Sequence, residues 1–410
     1  MKRKDAAALD RRDAFAKKRK LFQLPKGKIY LNGNSLGVLP KAAVARVKHA
    51  VEVEWGHDLI NSWNKHKWWD LPLVVGDKIA KVIGAAPGSV VATDTISVNL
   101  FKVLSAAVQK RHELKIILSD SGNFPSDLYV AQGLTQFMND GHVLNVVEPE
   151  HVFDAITEEV GVVMVTEVDY RSARRHDMKA ITAHAHEKGC LVIWDLAHSA
   201  GAVPGRLMEV DADLAIGCTY KYLNGGPGSP AFVFVHPRLQ NEVMPALVGW
   251  WGHAKPFAFE EKFVPAASIR CFQVGTQPML NMVALDAAMD AYKGVNMEKL
   301  YAKAKAQCAM FADLAEARCG KFGVTLYGSR NWDQRGSHVC LAHDQAYAVM
   351  QALIARGVVG DFRSPNLMRF GFAPMYVSYA DVYDAVDHLH DVLAKGLWNR
   401  RKFLARKAVT

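Results

Sequence analysis

"CTYKYLNGGPGSP" (218–230) places a single lysine, Lys221, between two tyrosines, after the apolar run "DADLAIG" (211–217) and before a glycine-proline loop. The apolar run predicts a buried strand, and an amine at the end of such a strand is costly to desolvate unless something uses it. The alternative is a surface lysine whose alkyl stem packs on the tyrosine rings. The surrounding sequence has to distinguish these two readings.

Short apolar runs alternate with helical patterns on both sides of this stretch. The runs are "KIILSD" (115–120), "GVVMVTEV" (161–168), "CLVIWDL" (190–196), "DLAIGCT" (213–219) and "AFVFVH" (231–236). Continuous runs rich in β-branched residues and separated by helices are typical of a mostly parallel sheet buried on both faces. Gly189, directly after "AITAHAHEK", indicates the C-terminal cap of one of these helices. We therefore predict an α/β fold with a large domain over residues 60–290.

The flanking regions have different patterns. A long amphipathic helix is predicted for "MEKLYAKAKAQCAMFADLAEA" (297–317). The short strands "FGVTLYG", "SHVCLA" and "LMRFGFAP", with the helix "AYAVMQALIARG" among them, follow it and predict a smaller α+β domain over residues 291–410. Residues 1–59 are predicted to form an N-terminal helix and an extended arm.

Composition narrows the class of protein. Half of the 410 residues are hydrophobic and 22% are charged, which predicts a packed core and excludes global disorder. No stretch approaches the roughly 18 consecutive apolar residues of a membrane helix, and the basic N-terminus lacks the apolar core of a secretory signal. Six cysteines without a C-x-x-C pair favour free thiols in a reducing compartment over disulfides or a zinc site. We therefore expect a cytoplasmic protein with no membrane partner and no metal.

The net charge of +9 raises the question of nucleic acid as a partner. The excess lies in two short tails, residues 1–20 and 395–410, each with a net charge of +6, so that the rest of the chain is slightly acidic. Basic tails of this kind are usually solvated helix ends. We therefore do not expect nucleic-acid binding.

Polar residues follow several of the predicted strands, where ligands of open α/β sheets bind. They include the carboxylate of Asp195, the imidazole of His198 and the amine of Lys221. An amine and a buried carboxylate at neighbouring strand ends suit pyridoxal phosphate, which forms an imine with a lysine and needs an acid beside its pyridine nitrogen. Taken singly, Asp195 is as well explained as a helix cap and His198 as a core residue. Together, on successive strand ends, these explanations become improbable.

Three other motifs carry less weight. "NGNSLG" (32–37) does not match the dinucleotide-binding pattern G-x-G-x-x-G, and "GGPGS" lacks the lysine of a P-loop. In "HAHEKGC" (184–190) the two histidines are two residues apart, so on a helix their side chains point apart rather than toward one metal ion.

The sequence resembles the kynureninase family over nearly its whole length. This family has the aspartate-aminotransferase (type I) fold of pyridoxal-phosphate enzymes. The matching motifs are "YLNGNSLGVLP" (30–40), "NFPSD" (123–127), "DLAHSAG" (195–201), "YKYLNGGPG" (220–228), "LVGWWGH" (247–253) and "PNLMRFGFAPMY" (365–376). Tyr220 stands where the related cysteine desulfurases usually have a histidine, which favours kynureninase.

The resemblance implies a role for each matching residue. Lys221 would carry the cofactor as an imine, and Tyr220 would act with it in catalysis. The ring of the cofactor would be held by Asp195 at its nitrogen, by Phe124 through stacking, and by Asp127, Thr166 and His198 around its edge. Its phosphate would be held by Ile96, Ser97, Tyr220, Trp250 and Thr276. The substrate would be bound by Arg369, as a clamp on the α-carboxylate, with Asn34 and Ser35.

The implied reaction is hydrolysis of the Cβ–Cγ bond of L-kynurenine to anthranilate and L-alanine, in tryptophan degradation. The resemblance also implies a homodimer with its site at the subunit boundary. Thr276 departs from the asparagine of animal members, which leaves 3-hydroxykynurenine open as a substrate and favours kynurenine. The alternatives are another enzyme of this fold, such as a cysteine desulfurase or an aminotransferase, or a cofactor-free scaffold whose basic tails bind a partner.

Overall fold

The computed structural model describes residues 1–406, so the last four residues of the predicted 291–410 domain lie outside the described part. The strands are β1 (Ile29–Tyr30), β2 (Val90–Thr93), β3 (Ile116–Asp120), β4 (Val143–Val147), β5 (Val160–Thr166), β6 (Leu191–Asp195), β7 (Leu214–Gly217), β8 (Ala231–Val235), β9 (Thr325–Tyr327), β10 (His338–Ala342), β11 (Val358–Val359), β12 (Asp361–Arg363) and β13 (Leu367–Gly371).

The α-helices are α1 (Arg3–Arg11), α2 (Lys41–His49), α3 (Ser62–Lys65), α4 (Leu71–Ile83), α5 (Ile96–Lys110), α6 (Pro125–Met138), α7 (Val152–Ala155), α8 (Met178–Glu187), α9 (Met279–Met289), α10 (Met297–Cys319), α11 (Ala346–Ala355), α12 (Tyr379–Ala394) and α13 (Arg401–Leu404). A π-helical segment, Ala50–Trp55, continues α2. Among the described residues, none of these helices combines the length and the apolar character that a membrane crossing requires.

Seven strands form the main sheet in the order β2-β8-β7-β6-β5-β3-β4. Strand β8 runs antiparallel to its two neighbours, and the other pairs are parallel. The five strands predicted from sequence are present, with ends that differ by at most two residues. The prediction missed β2, which has only four residues, and β4, an edge strand whose Val143 is 53% exposed. The mostly parallel sheet is therefore confirmed, with two more strands than expected.

The central strands are continuous apolar runs because both faces of the sheet are covered. On β5, Val163 and Val165 join one buried cluster, while Val162 and Met164 join another on the opposite face. Gly189 has φ +80°, a conformation that favours glycine, just after α8. It ends the helix and returns the chain to β6, as the sequence predicted.

A second, antiparallel sheet has the order β12-β13-β10-β9, and the long helix α10 packs against α12 beside it. The N-terminal region is attached to this part of the molecule. Arg3 donates two hydrogen bonds to Asp384 on α12, at 2.7 and 2.8 Å. Strand β1 pairs in parallel with β11, so that the arm after it runs toward the main sheet.

The arm reaches the loop that carries Lys221 at Gly37. The Gly37 N–H donates to the carbonyl oxygen of Tyr220 at 2.7 Å. A Cβ atom at position 37 would lie 2.3 Å from the carbonyl oxygen of Lys221 and 2.7 Å from Cα of Asn224. Both are backbone atoms, so the loop has to shift before any side chain fits there. Glycine is therefore required at this contact for its small size.

We predict that Gly37→Ala lowers the free energy of unfolding by about 1–3 kcal/mol, the usual cost of overfilling a packed site. Gly133→Ala is the matched control, because Gly133 lies on α6 with open space around its Cα, and it should raise stability by roughly 0.5–1 kcal/mol. Urea denaturation of both variants measures the difference. Equal stabilities for the two would contradict the tight contact between the arm and the loop.

Candidate active site

A cavity of about 330 Å³ lies at the carboxyl ends of the central strands, and it collects nearly all the residues singled out from the sequence. Those that line it are Asn34, Ser35, Ile96, Ser97, Phe124, Asp127, Thr166, Asp195, His198, Tyr220, Lys221 and Arg369. Trp250 and Thr276 do not line the cavity, although the phosphate was expected to bind them. Trp250 is 42% exposed and Thr276 is exposed.

Other residues line the cavity without having been singled out: Ser126, Val168, Tyr170, Ala197, Cys218 and Arg363. Five of them lie within four residues of a predicted site residue, at the same strand and helix ends. Arg363 is far from every predicted site residue except Arg369 in the sequence. It lies on β12, two residues after Asp361, so both side chains face the same side of that strand. An arginine in "GDFRSP" gave no sequence signal, since a strand arginine usually faces solvent.

The parallel strands explain why these side chains meet. Thr166 and Asp195 are the last residues of β5 and β6 and lie opposite each other in the ladder. Lys221 follows the next strand, β7, after a short turn. Strand ends of a parallel sheet share one edge, and the helices that follow them begin there. The fold therefore brings the amine of Lys221, the carboxylate of Asp195 and the N-termini of α5 and α6 to one cavity.

Lys221 is held by a histidine rather than by a carboxylate. Its Nζ lies 2.9 Å from Nε2 of His198, and the amine donates to the ring nitrogen. Burial lowers the pKa of His198 well below its usual value, and the charge of Lys221 lowers it further. The imidazole is therefore neutral and able to accept this hydrogen bond. The functional reading of Lys221 is favoured over that of a surface lysine, because its amine points into a lined cavity.

Asp195 and Asp127 are buried carboxyls, 4% and 3% exposed. Burial raises the pKa of both, and the charge of Asp195 raises the pKa of Asp127 further, while Lys221 opposes the effect. Asp195 Oδ1 accepts from the Ala197 N–H at 2.8 Å, whereas Oδ2 of Asp127 has no hydrogen-bond partner among the described residues. Two buried carboxyls that are costly to ionise side by side suit a cationic group as a ligand of the cavity.

The part of the cavity lined by Ile96 and Ser97 suits an anion. Ile96 and Ser97 are the first residues of α5, a helix of 15 residues whose N-cap is Thr95. The first N–H groups of a helix have no intrahelical partner, and the helix dipole makes this end positive. A phosphate bound there would receive hydrogen bonds from the backbone as well as from the Ser97 hydroxyl.

Tyr220 lies beside the amine, with its ring centroid 6.0 Å from Lys221 Nζ. Burial raises the pKa of its phenol far above the usual value, and the neighbouring Cys218 raises it further. The phenol therefore keeps its proton at neutral pH. Its chemistry is that of a proton donor rather than a base.

One group outside the cavity has the spacing of metal ligands within the described residues: His49, Glu54 and His66, whose ligand atoms lie within 4.8 Å of one another. Glu54 is already engaged, since it accepts from Arg46 Nη1 and from Trp68 Nε1, both at 2.7 Å. These contacts explain the buried carboxylate as an anchor for Trp68. The histidines of "HAHEKGC" have separate partners: His184 stacks on Phe153, and His186 is hydrogen-bonded to Asp213.

Comparison with known proteins identifies the family of this chain. A Pseudomonas fluorescens protein named kynureninase is 47% identical to this chain, covering 100% of it and 99% of that protein. A kynureninase of Burkholderia pseudomallei is 48% identical with the same coverage. This chain belongs to the kynureninase family. The model of the kynureninase C-terminal domain matches residues 300–389.

Solved structures with this fold are more distant in sequence. The cysteine desulfurase CsdA from Escherichia coli has a TM-score of 0.76 at 17% identity. The alignment covers 93% of this chain and 99% of CsdA. A mutant of C-DES with glycine covalently linked to its PLP cofactor has a TM-score of 0.79 at 15% identity, with coverages of 91% and 99%. These likenesses confirm the type I fold of PLP-dependent enzymes.

We predict that Asp127→Asn stabilises the ligand-free protein at neutral and higher pH. The folded-state pKa of Asp127 lies above the unfolded value, so stability is lost as pH rises between the two. The variant removes that loss and should gain roughly 1.4 kcal/mol for each pKa unit of the shift. Its advantage should vanish below about pH 4, where both states of the wild type are protonated.

Urea denaturation from about pH 4 to pH 8 measures this difference. Asp154→Asn, at an exposed position on α7, controls for the substitution itself. A constant gap between Asp127→Asn and wild type across the range would contradict the raised pKa.

Proposed function

We propose that the protein binds pyridoxal phosphate in this cavity and hydrolyses L-kynurenine to anthranilate and L-alanine. The observation that carries the proposal is the cavity of Lys221, Asp195 and Tyr220 in a chain that aligns end to end with curated kynureninases. The likeness to cysteine desulfurases, at 17–18% identity, concerns the fold alone, and so that alternative is not favoured.

The described residues fit the cofactor at each of its ends. Lys221 would hold it covalently, and Asp195 would pair with its ring nitrogen, which relieves the cost of a buried carboxylate. The N-terminus of α5, with Ile96 and Ser97, would receive the phosphate. Around the ring, we propose Phe124, Asp127, Thr166 and His198, all of which line the same cavity.

The cofactor, when bound, draws electrons from the Cα and Cβ atoms of the amino acid, and the protein supplies the proton transfers. The amine of Lys221 is the proposed base for the Cα proton, and neutral His198 accepts a hydrogen bond that orients it. Tyr220 is the proposed acid that returns a proton to Cβ, because its raised pKa keeps the phenol protonated. At the substrate end we propose Asn34, Ser35 and Arg369.

We also propose that two chains share each site. Trp250 lies outside the cavity of its own chain, in ring contact with Trp69, Trp251 and Phe257. Phe257 is 67% exposed and contacts Phe259, which is 81% exposed. Exposed aromatic clusters of this kind favour a protein interface. In a homodimer, Trp250 and Thr276 would reach the phosphate in the partner's cavity. Thr276, in place of the asparagine of animal members, favours kynurenine over its 3-hydroxy form as the substrate.

Two further proposals concern the domain boundaries and the cellular compartment. The separate sheets favour a division into the N-terminal helix and arm (1–59), the PLP-binding domain (60–290) and the small domain (291–410). All six cysteines are free and buried within the described residues, which favours a reducing compartment, the cytoplasm.

The first test is anthranilate release. We expect the wild-type protein with pyridoxal phosphate to convert kynurenine to fluorescent anthranilate. Lys221→Ala should lose at least about a thousandfold in kcat, because covalent attachment and the Cα base disappear together. Borohydride treatment should fix the cofactor to the wild type and not to the variant. A variant that releases anthranilate at near-normal rates would overturn the assignment of Lys221.

The shared site is tested by complementation. Lys221→Ala and Thr276→Ala are made in chains with different affinity tags, and each homodimer should have reduced activity. Co-expressed mixed dimers would contain one site with intact Lys221 and an intact partner Thr276, so activity should return. Sedimentation should show dimers for wild type and monomers for Phe259→Asp. Mixed dimers no more active than the parent homodimers would contradict sharing.

A further inference from the structure

His338 is a buried imidazole that the reaction proposed above does not use. It is the first residue of β10, is 0% exposed, and lies opposite Gly371 of β13 in the ladder. Neither of its ring nitrogens has a hydrogen-bond partner among the described residues, and it is the only described histidine with both nitrogens buried in this state. An unpaired buried imidazole lowers stability, so a role other than folding is favoured for His338.

The neighbour of His338 is His198, the residue that accepts a hydrogen bond from Lys221. The centroids of the two imidazole rings lie 5.8 Å apart, and the ring planes are tilted by 55°. Nε2 of His198 lies 2.9 Å from Lys221 Nζ, whereas Nδ1 of His198 is buried and has no partner among the described residues. The three side chains therefore form a series in which Lys221 contacts His198 and His198 contacts His338.

The contact with Lys221 determines which nitrogen of His198 carries the proton. The imidazole is neutral and its Nε2 accepts from the amine, so the single ring proton is on Nδ1. With the proton on Nε2 instead, the amine would have no acceptor on this ring. A group that accepts from the Nδ1–H therefore fixes the tautomer of His198 that orients Lys221.

His338 is able to accept this hydrogen bond because it is neutral. Burial lowers its pKa well below the usual value. Four cationic side chains lower the pKa further: Arg369, Arg335, Lys221 and Arg363. A neutral imidazole has one acceptor nitrogen and one N–H donor. The separation of the two rings suits a hydrogen bond that is made directly or through one water molecule.

The surroundings of His338 exclude bulk solvent as a competing acceptor. A Cβ atom at Gly371 would overlap Oδ1 of Asn34, so the Asn34 amide occupies the space beside His338 that a side chain at position 371 would fill. Asn34 is 0% exposed and His198 is 4% exposed. The Nδ1–H of His198 therefore has to find its acceptor among buried groups, and His338 is the one whose ring contacts that of His198.

We propose that His338 is a positioning residue for Lys221. It accepts the hydrogen bond from the Nδ1–H of His198 and so keeps Nε2 of His198 as the acceptor that orients the amine. His338 does not line the cavity, and it acts only through His198. This inference rests on the proposed function, because it concerns the same lysine.

The test compares His338→Leu, His338→Gln and Val339→Ala in the full-length protein. Leucine fills the space without polar atoms, whereas glutamine keeps an acceptor and a donor. Val339 is a matched control, because it is also 0% exposed on β10 but its side chain points to the opposite face of the sheet. The rate constant for attachment of pyridoxal phosphate to the cofactor-free protein is followed by absorbance. Melting temperatures, and kcat and KM for kynurenine, are measured in parallel.

We expect His338→Leu to slow cofactor attachment by about five- to tenfold, the usual effect of one lost hydrogen bond. Its kcat should fall by a similar factor with KM unchanged, because the amine is less well oriented. His338→Gln should attach the cofactor at nearly the wild-type rate. Val339→Ala should melt at a lower temperature and keep both rates.

Two results would overturn the role of His338. Attachment in His338→Leu as fast as in Val339→Ala would leave Asn34 as the acceptor for His198. Equal slowing in His338→Leu and His338→Gln would show that the shape of the side chain matters and its hydrogen bond does not. Failure of the wild type to attach pyridoxal phosphate or to release anthranilate would instead overturn the proposed function.

A folding defect is covered by a second variant. If His338→Leu melts well below Val339→Ala, His338→Phe decides, because it keeps a planar ring and lacks the nitrogens. Slow attachment in His338→Phe together with a nearly normal rate in His338→Gln would support the proposal. Attachment in His338→Phe at the wild-type rate would overturn it.

Discussion

The structure depends on keeping one amine, Lys221, inside a cavity formed by the ends of buried strands. An ionised lysine among apolar strands is unfavourable unless neighbouring groups compensate for the loss of water. His198 accepts its hydrogen bond and stays neutral because burial lowers its pKa. The two carboxyls at the same sheet edge, Asp127 and Asp195, are each subject to two opposite effects: burial raises their pKa values, and the charge of Lys221 lowers them. Each of these buried groups is costly in its charged form. A ligand with a cationic ring and an anionic tail would compensate their charges.

This balance explains why distant parts of the chain are fixed to the cavity. The N-terminal arm adds β1 to β11 and then packs Gly37 on the loop of Lys221, with backbone against backbone. The same arm provides Asn34 and Ser35, and Ser35 accepts from Arg369 of β13. One short segment therefore contacts both the loop that holds the amine and the strand that holds the arginine. This segment sets the relative position of the loop and the strand. A substitution that shifts the arm therefore displaces Lys221 relative to Arg369.

The sequence was sufficient to predict the strands that are buried on both faces. Apolar runs such as "GVVMVTEV" identify β5 because both faces of the strand are covered, whereas the edge strand β4 ("VLNVV") is partly exposed and Asn145 interrupts its apolar run. Lys221 and Asp195 could be predicted since they follow such runs. The position of Arg363 in the cavity could not, because it depends on the pairing of β12 with β13 and on the hydrogen bond to Asp361, which only the three-dimensional contacts reveal. The position of Trp250 outside its own cavity also has no sequence signal, since a tryptophan-rich stretch equally suits a core.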